Sequence, residues 1–240
     1  MLAVVCFLWE GRNYTPDHVN VLAAGYKRNL SIPHRFYCIT DLPGDFSPDV
    51  TVKTLPESAR AASKALTPEG PEYPSSYRRL WCFSEEAAEL GSLILMTDID
   101  CVVTGRVDPL ISYIDEIGAD FVGWRPPTTW GGVIRVAGGN WLLRAGTKPF
   151  VWRGFGPEGI KAARASGQRG SDQAWISYCL AQNCAIWPKP HGIYEAQWMR
   201  ANGFRELPQN ARIVHFNGKY HKPWDEQMQR IDWIREHWRL

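Results

Sequence analysis

The chain opens on an unbroken apolar run, Leu2 to Leu8, and a run of that length bounded by polar residues predicts a strand buried on both faces. Thr15-Pro16-Asp17 then marks a helix start, with a hydroxyl N-cap, a proline in the first turn and a carboxylate at the positive end of the dipole. Val19, Leu22, Ala23 and Tyr26 recur at three- and four-residue spacing and predict its buried face. Arg35 to Ile39 and Val50 to Leu55 predict two more strands. Tyr77 to Leu90 predicts a helix with Leu80, Phe83, Ala87 and Leu90 inward, and Leu93 to Met96 predicts a central strand. Such β-α-β alternation predicts an α/β protein whose mostly parallel sheet carries helices on both faces, joined by right-handed crossovers.

Between Glu57 and Ser76 the composition is rich in Pro, Ser, Glu and Ala without a period, which predicts a mobile loop or irregular crossover. The second half is less regular. Phe121 to Trp124 reads as a short strand and 125–132 as a loop, while Ser171-Asp172 opens a helix with Trp175, Tyr178 and Cys179 on one face and Asp172 and Gln173 in its first turn. Asp225 to Arg239 predicts a last helix with Met228, Ile231, Ile234 and Trp238 packed back on the domain and Arg230, Arg235 and Arg239 elsewhere. The alternative, a helix lying on a membrane surface, has little basic charge to support it, so membrane contact is not expected.

The 240 residues are 45% hydrophobic and 22% charged, ordinary for a globular protein, and suffice for one large domain. No apolar run is long enough to span a membrane, and the first residues lack the basic flank of a signal peptide, so a cytoplasmic location is expected. Asn13-Tyr14-Thr15 and Asn29-Leu30-Ser31 then read as chance matches to glycosylation acceptors. The six cysteines are scattered without a Cys-x-x-Cys and sit mostly in apolar segments, which predicts buried reduced thiols. Formal charge is +2 with basic residues dispersed among acidic ones, which argues against a nucleic-acid partner. Twelve tryptophans are many for this length. Trp81, Trp175 and Trp233 fall on apolar helix faces and are assigned to the core, which leaves Trp124, Trp130 and Trp198 as loop candidates for stacking on sugars.

Asp98-Ile99-Asp100 follows the strand Leu93 to Met96 directly and places two carboxylates where a buried strand meets solvent. In open α/β sheets ligands bind at those strand ends, and hard oxygen donors there suit a divalent cation. The motif alone is cheap; its apolar flanks, including Val102-Val103, carry the argument. A second anchor is the block Ile213-Val214-His215-Phe216-Asn217-Gly218-Lys219-Tyr220-His221-Lys222-Pro223-Trp224. It delivers an imidazole into a glycine turn rich in cations, and imidazole with two carboxylates makes a mixed donor set suited to Mn²⁺, while Lys219 and Lys222 can neutralise phosphates.

With these anchors in order, the chain resembles glycosyltransferase family 8, the glycogenin and lipopolysaccharide galactosyltransferase group. The resembling segments are the first strand and helix, Tyr77-Arg78-Arg79-Leu80, Asp98-Ile99-Asp100, Ser171-Asp172-Gln173 and the block from His215 to Trp224, similar to the family's His-x-x-Gly-x-x-Lys-Pro-Trp. The resemblance implies a GT-A, Rossmann-like fold, with a nucleotide-binding half over 1–104 and an acceptor half over 105–240 ending in the metal and phosphate loop. It also implies a metal-dependent hexosyltransferase that takes a UDP-sugar, retains configuration and uses Mn²⁺, or Mg²⁺ as second choice, with a carbohydrate, lipid-linked or protein acceptor. Asp100 and His215 would ligate the metal, Asp98 the metal, the ribose or both, and Lys222 the pyrophosphate. Arg79 would face the donor sugar and phosphates, and the base would rest near Phe7, Leu8 and Trp9. Asp172 or Gln173 would face the developing oxocarbenium ion. The chain departs from the pattern in two places: three residues separate Gly218 from Lys222 where the family has two, so that Lys219 could substitute, and Gly138-Gly139-Asn140 stands where the family has Asn-Ser-Gly. Two rival readings are a haloacid-dehalogenase-like phosphohydrolase, from Asp98-Ile99-Asp100-Cys101-Val102-Val103-Thr104, and a non-catalytic GT-A-like binding protein.

Overall fold

The N-terminal apolar run forms β1 (Leu2–Phe7), buried at every position. The computed structural model describes residues 1–11, 13–64, 74–125, 136–168, 170–180, 184–216, 218 and 221–240. Helix α1 (Pro16–Asn29) starts where the sequence predicts, with Thr15 as N-cap and Val19, Leu22, Ala23 and Tyr26 buried. Next come β2 (His34–Ile39), β3 (Val50–Lys53), α2 (Glu57–Ala62) and β4 (Leu93–Met96). After them run β5 (Cys101–Val103), α3 (Asp108–Glu116), β6 (Phe121–Gly123), β7 (Trp141–Arg144), α4 (Pro149–Arg153), α5 (Pro157–Ala165) and α6 (Asp172–Leu180). The chain closes with β8 (Ala185–Ile186), β9 (Ile193–Glu195), β10 (Ile213–His215), α7 (Glu226–Gln229) and α8 (Asp232–His237).

Seven strands form a sheet in the order β3-β2-β1-β4-β7-β6-β8, and β5-β10-β9 form a second, smaller one. In the large sheet β2 and β3 are parallel, as are β6 and β8, while β7 runs antiparallel to both β4 and β6. The result is the mostly parallel α/β sheet with helices around it that the alternation predicts, with β7 as a reversed strand the pattern does not disclose. The chain divides into two compact units, one of Met1–Ala3, Thr54–Met96 and Ile114–Trp187 and the other of Val4–Lys53, Thr97–Tyr113 and Pro188–Leu240. Each unit draws on both sides of residue 104.

Within the first unit, Tyr77 to Leu90 is not an α-helix but two 3₁₀ segments, Pro74–Phe83 and Glu86–Leu90. The break is local: the Ser84 hydroxyl accepts the Ala87 N–H at 3.3 Å, a side-chain bond that competes with the α-helical ladder. Leu80, Phe83, Ala87 and Leu90 are nonetheless buried, because three-residue spacing serves either helix. Phe83 packs on Trp141 with ring centroids 4.9 Å apart. Part of the stretch expected to be irregular is regular, since α2 lies inside it. Helix α6 buries Ala174, Trp175, Ile176, Ser177 and Leu180 and leaves Tyr178 exposed, against the one-face prediction. Its neighbours α4, α5 and the Pro74–Phe83 segment meet it on more than one side. Trp124 is only 2% exposed, and its backbone N–H donates to the Asn140 carbonyl at 3.2 Å; the buried side chain belongs to the core and not to a sugar platform. Trp130 lies outside the described residues, as does the side chain of Trp198.

In the second unit the C-terminal segment packs as predicted but as two helices. Ile231 is extended (φ −90°, ψ 120°) between α7 and α8, and this break lets Met228, Ile234 and Trp238 all enter one cluster with Val102, Val214, Phe216 and Trp233. No helix among the described residues is long and apolar enough to cross a membrane. The six cysteines are free, four of them buried.

Three half-buried histidines, His18, His191 and His237, set a pH dependence. Burial holds each imidazole below its usual pKa; Asp17 opposes this at His18, and Lys189 reinforces it at His191. At His237 Glu236 opposes it and Arg28 and Arg239 reinforce it. The unfolded chain therefore binds more protons than the folded one as pH falls through about 6.5, and stability is lost there. The urea midpoint is expected to drop between about pH 7.5 and about pH 5.5, and His18→Gln should reduce the drop; an unchanged midpoint would refute the assignment.

Candidate functional site

The two anchors found in the sequence meet inside the second unit. After β4, Thr97 donates its N–H to the Val5 carbonyl at 2.9 Å, and the chain turns through Asp98, half-buried, and Asp100, 7% exposed, into β5. Strand β5 pairs antiparallel with β10 in a register that sets His215 opposite Cys101. The Phe216 N–H extends the pairing to the Asp100 carbonyl at 2.9 Å. A backbone ladder thus joins carboxylate and imidazole segments more than a hundred residues apart in sequence.

Around Asp100 the polar groups are crowded. The Tyr14 hydroxyl donates to Asp100 Oδ2 at 3.0 Å, and the Lys222 ammonium donates to the same oxygen and to the Phe216 carbonyl. Lys222 is 8% exposed, and its backbone is fixed by a turn in which its N–H reaches Asp225 Oδ2 at 2.8 Å and the Asp225 N–H returns to its carbonyl at 2.9 Å. Tyr14 also meets the Trp224 ring edge-on at 5.5 Å, and Trp224 stacks on His18 at 3.9 Å. The His215 Nδ1 lies 3.2 Å from the Cys101 sulfur. Burial, with the charges of Asp98 and Asp100 added, pushes the Cys101 thiol well above its usual pKa, so it meets the ring as a protonated thiol.

A second constellation lies in the first unit. Arg79 Nη2 donates to Asp172 Oδ1 at 2.9 Å and Nε sits 2.9 Å from Oδ2, an ion pair with one charge-assisted hydrogen bond and a second close contact, in which the carboxylate is fully buried. Gly138 packs against it: a Cβ there would lie 2.9 Å from both Arg79 Nη2 and Asp172 Oδ2. The Gly138 carbonyl accepts the Trp141 indole N–H at 2.9 Å. Gln173, the next residue of α6, is half-buried. Tyr77, from the same segment as Arg79, donates its hydroxyl to the Gly170 carbonyl at 3.3 Å.

Of the residues singled out in the sequence, Asp100 and Lys222 are in contact, and Arg79 and Asp172 are in contact. Phe7 and Leu8 are core residues, 3% and 1% exposed, which leaves Trp9 as the partly exposed member of that trio. Lys219 lies outside the described residues. Sequence reasoning missed Tyr14, Cys101 and Gly138. Tyr14 stands directly before a helix N-cap, a position that commonly packs back on neighbouring structure, and this was the available signal.

The expected metal donors are right in kind, carboxylate oxygen and imidazole nitrogen. As arranged they do not fit a divalent cation: Asp100 is held by an ammonium and a phenol, His215 faces a thiol, and no three such donors are gathered among the described residues. No catalytic step is derived through a metal on this arrangement.

No protein-family model matches the chain, and no curated protein matches it in sequence. Solved structures do match. The galactosyltransferase LgtC, in complex with donor and acceptor sugar analogs, aligns with a TM-score of 0.59 at 13% identity over 99% of this chain and 94% of its own. Mouse xyloside xylosyltransferase 1 aligns with a TM-score of 0.55 at 12% identity, over 90% of this chain and 97% of its own. The glycosyltransferase GlyE of Streptococcus pneumoniae aligns at 0.56 and 10% identity over 99% of this chain and 61% of its own. With β4 leading into Asp98-Ile99-Asp100 and with these glycosyltransferases aligned along nearly its whole length, the chain has the GT-A fold.

Proposed function

We propose that the protein is a glycosyltransferase that moves a hexose from a nucleotide diphosphate, UDP first, to a carbohydrate, lipid-linked or protein acceptor with retention of configuration. The contact between Asp100 and Lys222 carries this reading, because it brings a lysine able to neutralise a diphosphate to the Asp-x-Asp motif within a GT-A fold. Breaking the sugar–phosphate bond develops negative charge on the leaving phosphate, and a buried ammonium stabilises such charge far better than one in water. Lys222 supplies it. Trp9 would support the base from its partly exposed position, and Asp98 the ribose.

Asp172, fully buried and clamped by Arg79, is suited to orienting that arginine toward the donor; Gln173, half-buried beside it, is the better candidate to face the reacting sugar. The phosphohydrolase reading loses support, since its motif belongs after the first strand of a domain and here follows β4. The decisive measurement is calorimetric titration of UDP into the protein with Mn²⁺ and with EDTA, followed by assay of UDP-glucose and UDP-galactose hydrolysis. Micromolar UDP binding with slow donor hydrolysis is expected. Binding without hydrolysis or transfer to any acceptor favours a non-catalytic binding protein, and absence of UDP binding in both conditions overturns the UDP reading.

A further inference from the structure

We infer that the Lys222 ammonium and a divalent cation exclude one another at Asp100, so that the chain alone carries an internal cation where the fold family leads one to expect a metal. Asp100 Oδ2 already receives two donors, the Tyr14 hydroxyl and Lys222 Nζ. The ammonium is held from three sides: by Asp100, by the Phe216 carbonyl, and by the face of the Tyr14 ring, whose centroid lies 5.7 Å away. Its stem is no looser, because the Lys222–Asp225 turn pins the backbone at both its N–H and its carbonyl. Both side chains are about nine-tenths buried, at 10% exposure each, so their attraction is little screened by water or salt. An incoming cation meets a carboxylate whose charge is already compensated and must first displace a buried lysine. The inference concerns the same site as the proposed activity, in which the donor diphosphate is the anion that draws Lys222 away; the exclusion itself needs no nucleotide and is tested without one.

Mn²⁺ is titrated into the metal-free protein and the free ion followed by electron paramagnetic resonance. The wild-type chain is expected to bind no Mn²⁺ below the millimolar range, whereas Lys222→Met and Lys222→Gln should bind it at least about tenfold more tightly. Adding Asp100→Asn should abolish the gain, and Lys222→Arg, which keeps the charge, should bind no better than wild type. Lys222→Gln keeps a donor for the Phe216 carbonyl and serves if the methionine variant does not fold, as judged by circular dichroism. Micromolar Mn²⁺ binding by the wild-type protein that Asp100→Asn removes would overturn the inference without any lysine variant. So would equal affinity of the wild-type and Lys222→Gln proteins, or a gain that survives Asp100→Asn. Failure of UDP to bind leaves the inference standing, so the two readings fail separately.

Discussion

Arg79→Met is expected to destabilise the folded protein by about 3–5 kcal/mol, the largest stability effect of any single substitution considered, because it strands a buried charge. Asp172 is 0% exposed and meets Arg79 through two oxygen–nitrogen contacts of 2.9 Å, so removal of the guanidinium leaves a carboxylate with neither its cation nor bulk water. Arg79→Lys should recover only part of the loss, since a single ammonium cannot stand against both carboxylate oxygens as the two guanidinium nitrogens do. The double variant Arg79→Met/Asp172→Leu should recover most of it, because a matched apolar pair incurs no desolvation of charge. Urea unfolding of the four proteins checks the series. A single variant within about 1 kcal/mol of wild type would show that Asp172 is not buried as an ion.

Asp100→Asn is expected to reduce donor hydrolysis by at least about 100-fold, because Lys222, the cation that stabilises the leaving phosphate, loses the carboxylate that positions it, and loss of a positioned donor to developing negative charge has that scale. It should also lower stability, on the order of 3 kcal/mol, since Lys222 loses its counter-charge while its backbone stays pinned to Asp225. The two effects are separable. Asp100→Asn/Lys222→Met removes the stranded ammonium and should regain most of the stability while turnover stays low, so circular dichroism melts and a UDP-release assay on the same three proteins distinguish folding from chemistry. Full turnover in the single variant would remove Asp100 from the site.

The parts of this fold that could be read from the sequence are those whose signals are short-range. Strand β1 and helix α1 were legible because an apolar run and a Thr-Pro-Asp start need only a few neighbouring residues. The burial of Leu80 and Phe83 was legible too, but not the 3₁₀ form of their helix or its break at Ser84, whose hydroxyl takes the Ala87 N–H. Helix α6 misled because three neighbours surround it, and one-sided periodicity presumes one. In the site, the residue types were legible and their pairing was not. Nothing local says that Arg79 spends its guanidinium on Asp172, that Tyr14 reaches Asp100, or that Cys101 meets His215. These contacts span 86 to 114 positions and exist only after the sheet has formed.

The antiparallel ladder of β5 and β10 has a consequence for how such a protein can diversify. Because Asp100 and His215 ride on strands bonded directly to each other, their spacing is set by register, and a slip of even one residue would turn every side chain on the strand to the wrong face. Between Thr104 and Ile213, β9 joins that ladder by pairing parallel with β10, and α6 carries Asp172 and Gln173 of the candidate site. The loops of that stretch outside these elements can lengthen, shorten or change while the paired strands hold Asp100 and His215 in register, an arrangement in which new acceptors can be recruited by drift in loops without retuning the ladder.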